Sequence, residues 1–476
     1  MSSEDFNIST LAFKYGEALS KSKKFNPQTV SISRLIENKG QSFICKELQK
    51  DAKDFCEDNS FYTSRDFVYK SDYFTPRNMH LISPIYYLYY IKLVFEVFYS
   101  YSTEKEILDF SSERILSFYS GRLEFVLDEE KIMKNSKFNK SYKSFQKERE
   151  EFFGHPALKI DLKDFFPSIK MVNLKEKLES YFGKNSSIDN LFYFYSFCGF
   201  TSLPQFHYSI ASSILAQFYL KDFDDKIKPI LNEEGLILIR FVDDMFIIPE
   251  DKQENKKRNN ELLHLINHFL WEDELVLNSN KTKMLSPEEY KVESETVSGT
   301  EESIKYTSEM RIKEKAEEIV GNDDLYNLLL KLHALEKNEG VNFESYKKLT
   351  DEYIAINGED TFKIINNLVF TDKWETISDE QLMEIIRSWR FVLFNPSQFT
   401  ILYVKICRYL ENRRKVDGRP IRKLLNYLLK RDDFTFRDTL VASAYLFQND
   451  KKHKDLLKKI STINRKYVKF IELYIS

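Results

Sequence analysis

The sequence predicts an α+β body over about its first two-thirds and an all-α final third. Three observations carry this: short aliphatic runs of strand length in the middle, apolar residues at helical spacing from about Asp323 onward, and scarce turn residues. Only 12 Gly and 11 Pro occur in 476 residues, well below the roughly 7% and 5% of average proteins, which disfavours a many-turned all-β sandwich. At about 100–200 residues per domain the chain holds two to four domains with a sizeable core. Its 42% hydrophobic and 30% charged residues exclude a disordered chain. The expected division is 1–150, 151–320 and 321–476.

Taken in order, the start MSSEDFNISTLAFKYGE has neither a basic n-region nor an apolar h-region, so no secretion signal is expected. The richest apolar tract, His80 to Tyr101, is interrupted by Lys92 and Glu96 and is not expected to span a membrane. ALKIDL at 157–162 and LILIRFVDDMFII at 236–248 read as strands, the second as a hairpin. Between them, Ser209 to Lys221 sets Ile210, Ile214 and Phe218 on one helical stripe beside small residues. After Leu285, PEEYKVESETVSGTEESIKYTSEM lacks a strong apolar period and is expected to be a loop or linker, with a hairpin possible in part. Leu325, Leu328, Leu329, Leu332 and Leu335 then open a series of amphipathic helices. Ser378 with Gln381 fits a capping box, and Asn395–Pro396 fits a cap before a first-turn proline. Further helices are expected over 398–412, 420–431, 436–448 and 453–475, arranged as an α-solenoid although no exact repeat period is visible.

Cys45, Cys56, Cys198 and Cys407 have no CxxC spacing, so a reduced cytoplasmic protein without zinc is expected. His264 and His268 stand at i, i+4 but lack the glutamate of a zincin. The net charge of −3 hides an asymmetry. Residues 401–476 carry 19 Lys/Arg and 8 Asp/Glu, a net of +11, which leaves −14 on the rest. A polyanion-facing end or a solvated helix face both explain it.

Chemistry concentrates in acidic residues. In RFVDDMFII, Asp243 and Asp244 fall at a turn between aliphatic arms, where an Asx-capped turn is the bland alternative to a metal site. In KIDLKDFFPSI, period-two alternation sends Leu158, Ile160 and Leu162 to one face and Lys159 and Asp161 to the other. Bringing Asp161 beside the Asp243 turn is costly unless divalent cations share the site. Hard oxygen ligands select Mg²⁺ or Mn²⁺, and two ions suit an in-line nucleotidyl transfer.

The order IDLKDFFPSI, LPQFHYSIASSILAQFYL, FVDD, LNSNKTK resembles palm motifs A to D of reverse transcriptases, over about 157–285. The resemblance implies a metal site of two ions on Asp161, Asp243 and Asp244 with Leu162, and makes Lys281 the general acid for departing pyrophosphate. It implies fingers cations Lys70 and Arg77 for the incoming dNTP, and Phe166 as a gate against a ribose 2′-hydroxyl. Each has an ordinary alternative, a surface cation for the lysines and arginine and a core ring for Phe166. Pro204 and Gln205 match motif B, but Phe206 replaces the usual glycine and two extra residues precede ASSILA. Phe206 and His207 are therefore expected to narrow the channel.

Fingers and palm followed by a helical-repeat (HEAT-like) domain in place of a thumb resemble the bacterial abortive-infection and defence-associated reverse transcriptases. That resemblance implies antiphage defence, protein-primed and possibly template-independent DNA synthesis, and homo-oligomers. The partners implied are dNTPs, nucleic acid as product and possibly a noncoding RNA template, and no membrane. A templated retron-like or intron-like enzyme and a non-catalytic palm scaffold are the alternatives.

Overall fold

The computed structural model describes residues 8–22, 26–70, 73–102, 109–119, 125–126, 131–132, 138–295, 307–354, 359–416, 419–448 and 453–475. The chain forms two compact units, residues 1–64 with 80–294, and residues 65–79 with 295–474.

Among the described residues the strands are β1 (Thr63–Arg65), β2 (His80–Ile82), β3 (Ile115–Phe118), β4 (Phe125–Val126), β5 (Lys131–Ile132), β6 (Ala157–Ile160), β7 (Leu236–Phe241), β8 (Asp244–Pro249) and β9 (Lys283–Leu285). Five of them form the central sheet of the first unit in the order β3-β7-β8-β6-β9. β3 runs parallel to β7 and the remaining neighbours are antiparallel. Alternation assigns the faces as the sequence predicts. Leu158, Ile160, Leu238, Met245 and Ile247 enter the main core, while Ala157, Ile239, Phe246 and Ile248 join Phe145 and Tyr290 on the opposite face.

Helix Pro84–Ser102 runs through the main core. Its residues from Tyr86 to Phe95 are all buried, the pattern of a helix that is apolar all round. Lys92 is tolerated there because Glu96 lies one turn on, at 2.8 Å. Gly16 allows helix Ile8–Ser22 to approach closely, since a Cβ at that position would lie 2.2 Å from Leu88 Cδ2. Among the described residues no helix is long and apolar enough to cross a membrane.

The expected linker after Leu285 is partly helical. Pro287–Glu295 forms a helix, started by a reciprocal box in which Glu289 N–H donates to Ser286 Oγ and Ser286 N–H to Glu289 Oε2. Tyr290, fully buried, donates to the Arg149 carbonyl, and Glu293 pairs with Lys159, so tertiary contacts fix a segment of weak periodicity. Residues 296–306 of that stretch lie outside the described residues.

The second unit is helical, with α-helices from Thr307–Gly321 to Arg465–Tyr474. The capping box of Ser378 and Gln381 is present. The helix expected over 398–412 runs Gln398–Asn412, and Asn395 accepts from Gln398 N–H at 3.2 Å, although Pro396 lies before the helix and not in its first turn. The final expected helix is two, Lys454–Ile463 and Arg465–Tyr474, because Asn464 takes extended φ/ψ and recaps the chain by accepting from Tyr467 N–H.

Residues 65–79 belong to this helical unit. The described parts, 65–70 and 73–79, are the two arms of a hairpin in which Lys70 N–H donates to Thr75 O and Arg77 N–H to Val68 O. Arg437 grips it, donating to Tyr73 O at 2.8 Å and to Leu393 O at 2.6 Å, with its guanidinium 4.6 Å from the Phe74 ring centre and 4.9 Å from that of Tyr69. Tyr73, buried and left-handed at φ 57°, donates its hydroxyl to Gln398.

Candidate active site

The β6–β8 register pairs Leu158 with Ile247, Lys159 with Phe246 and Ile160 with Met245. Continued by one residue it sets Asp161 opposite Asp244, at the roughly 5 Å Cα spacing of facing strand residues. On the other side of β6 the pairing of Lys159 with Lys283, continued in the same way, sets Asp161 opposite Lys281. The end of β6, flanked by β8 and β9, thus delivers one carboxylate between a second carboxylate and an ammonium.

Asp243 comes from the turn that joins β7 to β8. The turn is tight, with Phe241 still paired to Asp244, and Val242 is forced to φ 56°. A β-branched residue in the left-handed region is strained, and surrounding structure must hold it there. Val242 is buried and its N–H donates to Phe118 O at 3.1 Å, which supplies part of that restraint.

Asp161 is buried and firmly held. Its Oδ1 accepts from Asn278 Nδ2 at 2.7 Å, its Oδ2 from Lys281 Nζ at 3.0 Å, and its backbone carbonyl from Asn278 N–H at 2.8 Å. Asn278 was not singled out from the sequence; its place in LNSNKTK, beside the predicted Lys281, was the available signal. Thr282 also faces Asp161, its Oγ1 3.5 Å from the Asp161 N–H.

The electrostatics report crowding. Burial pushes the Asp243 carboxyl up to about 7, with Asp244 and then Asp161 adding to the rise and Lys281 opposing it. Asp244 keeps contact with solvent, but protein surrounds its carboxylate closely enough that desolvation, followed by the charge of Asp161, raises it as well. Lys281 is lifted above its ordinary range. Burial opposes its charge, but the hydrogen bond and charge of Asp161, then Asp244 and Asp243, outweigh that cost.

By its chemistry, carboxylate oxygens that repel one another, this donor set suits a hard divalent cation. Among the described residues no three His, Cys, Asp or Glu side chains are already drawn into metal-ligand geometry; both Asp161 oxygens face protein donors instead. Leu162 is buried and bridges to Leu277, which places its backbone at the same corner.

Phe166 lies on the short helix Phe165–Ser168. Its neighbour Phe165 is buried whereas Phe166 is only half-buried, its ring 5.7 Å from that of Phe165. The two motif B residues form backbone ties: Pro204 O accepts from Ser212 Oγ at 2.8 Å and Gln205 O from His80 N–H at 2.9 Å.

The expected narrowing by Phe206 is not what the packing gives. Its ring turns into the core, 5.6 Å from Phe200 and 5.9 Å from Tyr90, and His207 is also buried with its carbonyl accepting from Tyr87 Oη. The aromatic-rich helix behind motif B takes up the rings, so the bulk points inward.

Lys70 and Arg77 are exposed on the 65–79 hairpin, which belongs to the other compact unit from the carboxylates. Within residues 401–476, which carry the net positive charge, Arg413 and Lys415 both pair with Asp379 at 3.3 Å, and Arg413 stacks on Tyr409. His264 and His268 lie exposed on helix Lys256–Glu272.

No curated protein matches the chain. Residues 126–309, the stretch that contains β6 to β9 and all three aspartates, match the family model of the reverse transcriptase (RNA-dependent DNA polymerase), so the middle of the chain is similar to a reverse transcriptase domain.

Proposed function

We propose that the chain is a divalent-metal-dependent DNA polymerase of antiphage defence that extends a primer from dNTPs, primed by protein and able to work without a template. The observation that carries the polymerase chemistry is the convergence of Asp161, Asp243 and Asp244 at one corner of the sheet, with Asp243 pushed up to about 7 by burial and its neighbours. These carboxylates with the Leu162 backbone would hold Mg²⁺ or Mn²⁺, which would supply nucleophile activation and charge neutralisation in nucleotidyl transfer.

The protein's own residues divide the remaining work. Asn278 orients Asp161. Lys281 carries a proton at Nζ within reach of the carboxylate corner and is the acid for the departing pyrophosphate. Phe166 restricts the sugar, and Lys70 and Arg77 meet the triphosphate, Arg77 through its planar fork. The helical character of the second unit supports the defence-associated reading, in which HEAT-like repeats take the place of a thumb and homo-oligomers are the working form in the cytoplasm.

The test uses purified, nuclease-treated protein given each labelled dNTP separately with Mg²⁺ or Mn²⁺, and the products are run with and without protease. Label in a product that shifts on proteolysis is the expected result, and Asp243→Ala abolishes it. Products that form only after RNA is added move the reading to a templated reverse transcriptase, and no incorporation under any condition removes the catalytic reading.

A further inference from the structure

Behind the catalytic turn lies a charged group that the chemistry above does not use. Arg240 is on β7, three residues before Asp243, and is 0% exposed. The register pairs it with Met245, whose side chain enters the main core, so Arg240 points to the face opposite Asp161 and Asp244. There it donates to Asp224 Oδ2 at 2.6 Å, on helix Lys221–Glu233, and to Gln217 Oε1 on helix Ile210–Tyr219. Gln217 Oε1 also accepts from Ser117 Oγ of β3 at 2.9 Å. One guanidinium therefore links β7 to two helices and, through Gln217, to β3.

This network is expensive. Among the described residues Arg240 Nε, Asp224 Oδ1 and Gln217 Nε2 are buried without a hydrogen-bond partner, so each loses its hydration with no bond in return. Burial raises the Asp224 carboxyl despite the opposing charge of Arg240. An apolar trio of the same volume would serve stability as well or better. Apolar contact, however, is non-directional, and the turn ahead of Arg240 holds Val242 at φ 56°, a conformation that persists only where its surroundings over-determine it.

We propose that Arg240 is a positioning residue: anchored from behind the sheet by Asp224 and Gln217, it fixes β7 so that the strained Val242 turn presents Asp243 and Asp244 at the metal-binding corner. Arg240 touches no carboxylate of that corner and acts through the strand. The assignment rests on the metal-site reading above.

The decisive variant is Arg240→Met combined with Asp224→Leu, which removes the pair without stranding a buried charge. Three readouts are taken: melting temperature, Mn²⁺ affinity from the electron paramagnetic resonance signal of the free ion, and steady-state dNTP incorporation. The double variant is expected to melt at or above the parent. It should bind Mn²⁺ about tenfold more weakly and lose about tenfold in kcat, as for other residues that orient metal ligands, with KM for dNTP little changed. A double variant that binds Mn²⁺ and turns over like the parent overturns the proposal. Should it fail to fold, Arg240→Lys, which keeps the charge and loses the fork, carries the test: parental affinity and kcat in that protein overturn the proposal equally. Asp243→Ala separates the two ideas. If it binds Mn²⁺ and incorporates dNTP like the parent, the metal-site reading fails; if it loses both while the Arg240 variants keep both, positioning alone fails.

Discussion

At the corner of the central sheet, carboxylates from two strands and a turn face one another with Lys281 bonded to Asp161 on its far side, and burial pushes Asp243 up to about 7. In the helical unit, Arg437 is likewise drawn in among protein atoms, but carbonyls of Tyr73 and Leu393 and two aromatic rings receive it. The first arrangement is left electrically unfinished and the second is closed. Closed polar contacts of this kind rigidify a fold, whereas burying like charges together raises their pKa values and leaves the corner short of positive charge. Substitutions at the two places should therefore separate activity from stability.

The largest effect is expected at the sheet corner. Asp243→Ala should reduce labelled dNTP incorporation by more than about a thousandfold, the scale on which a catalytic group is lost, while the melting temperature in metal-free buffer does not fall, since a crowded carboxylate has been removed. Lys281→Met should lower the rate about a hundredfold, read as kcat in single-nucleotide assays with KM little altered. Parental kcat in that variant removes the general-acid role.

At the Arg437 socket the order reverses. Arg437→Met strands the Tyr73 and Leu393 carbonyls and should cost about 2–4 kcal/mol, measured by urea unfolding, with faster amide exchange in the 65–79 hairpin. Equal exchange in parent and variant would show that the rings alone hold the hairpin. Asn278→Ala keeps Asp161 in place at the end of β6 but frees its Oδ1, and should weaken Mn²⁺ binding and turnover about tenfold. The smallest expected change is Ser378→Ala, which removes one capping box and about 1 kcal/mol, visible in thermal melts and silent in incorporation assays.

Local chemistry carried the elements. The alternation in ALKIDL, the aliphatic arms around Asp243–Asp244 and the periodicity after Asp323 each depend on neighbours within a few residues, and the strands and most helices form where these patterns point. The helix Pro287–Glu295 was hidden because its weak apolar period is rescued by Tyr290 and Glu293, whose partners Arg149 and Lys159 lie more than a hundred residues earlier. Phe206 was misread for the same reason: whether a ring narrows a channel or fills a core depends on what stands behind it, here Tyr90 and Phe200.

The sequence by itself determined which residues bear the charge and the order in which they occur, because residue identity and short-range periodicity are properties of the chain. Only the tertiary structure decided that Asp161 is oriented by Asn278 and Lys281, that Arg240 stands on the back of the strand leading to Asp243, and that residues 65–79 belong to the helical unit. Those facts are set by strand register and by burial against distant segments, and both are fixed only when the whole chain closes on its core.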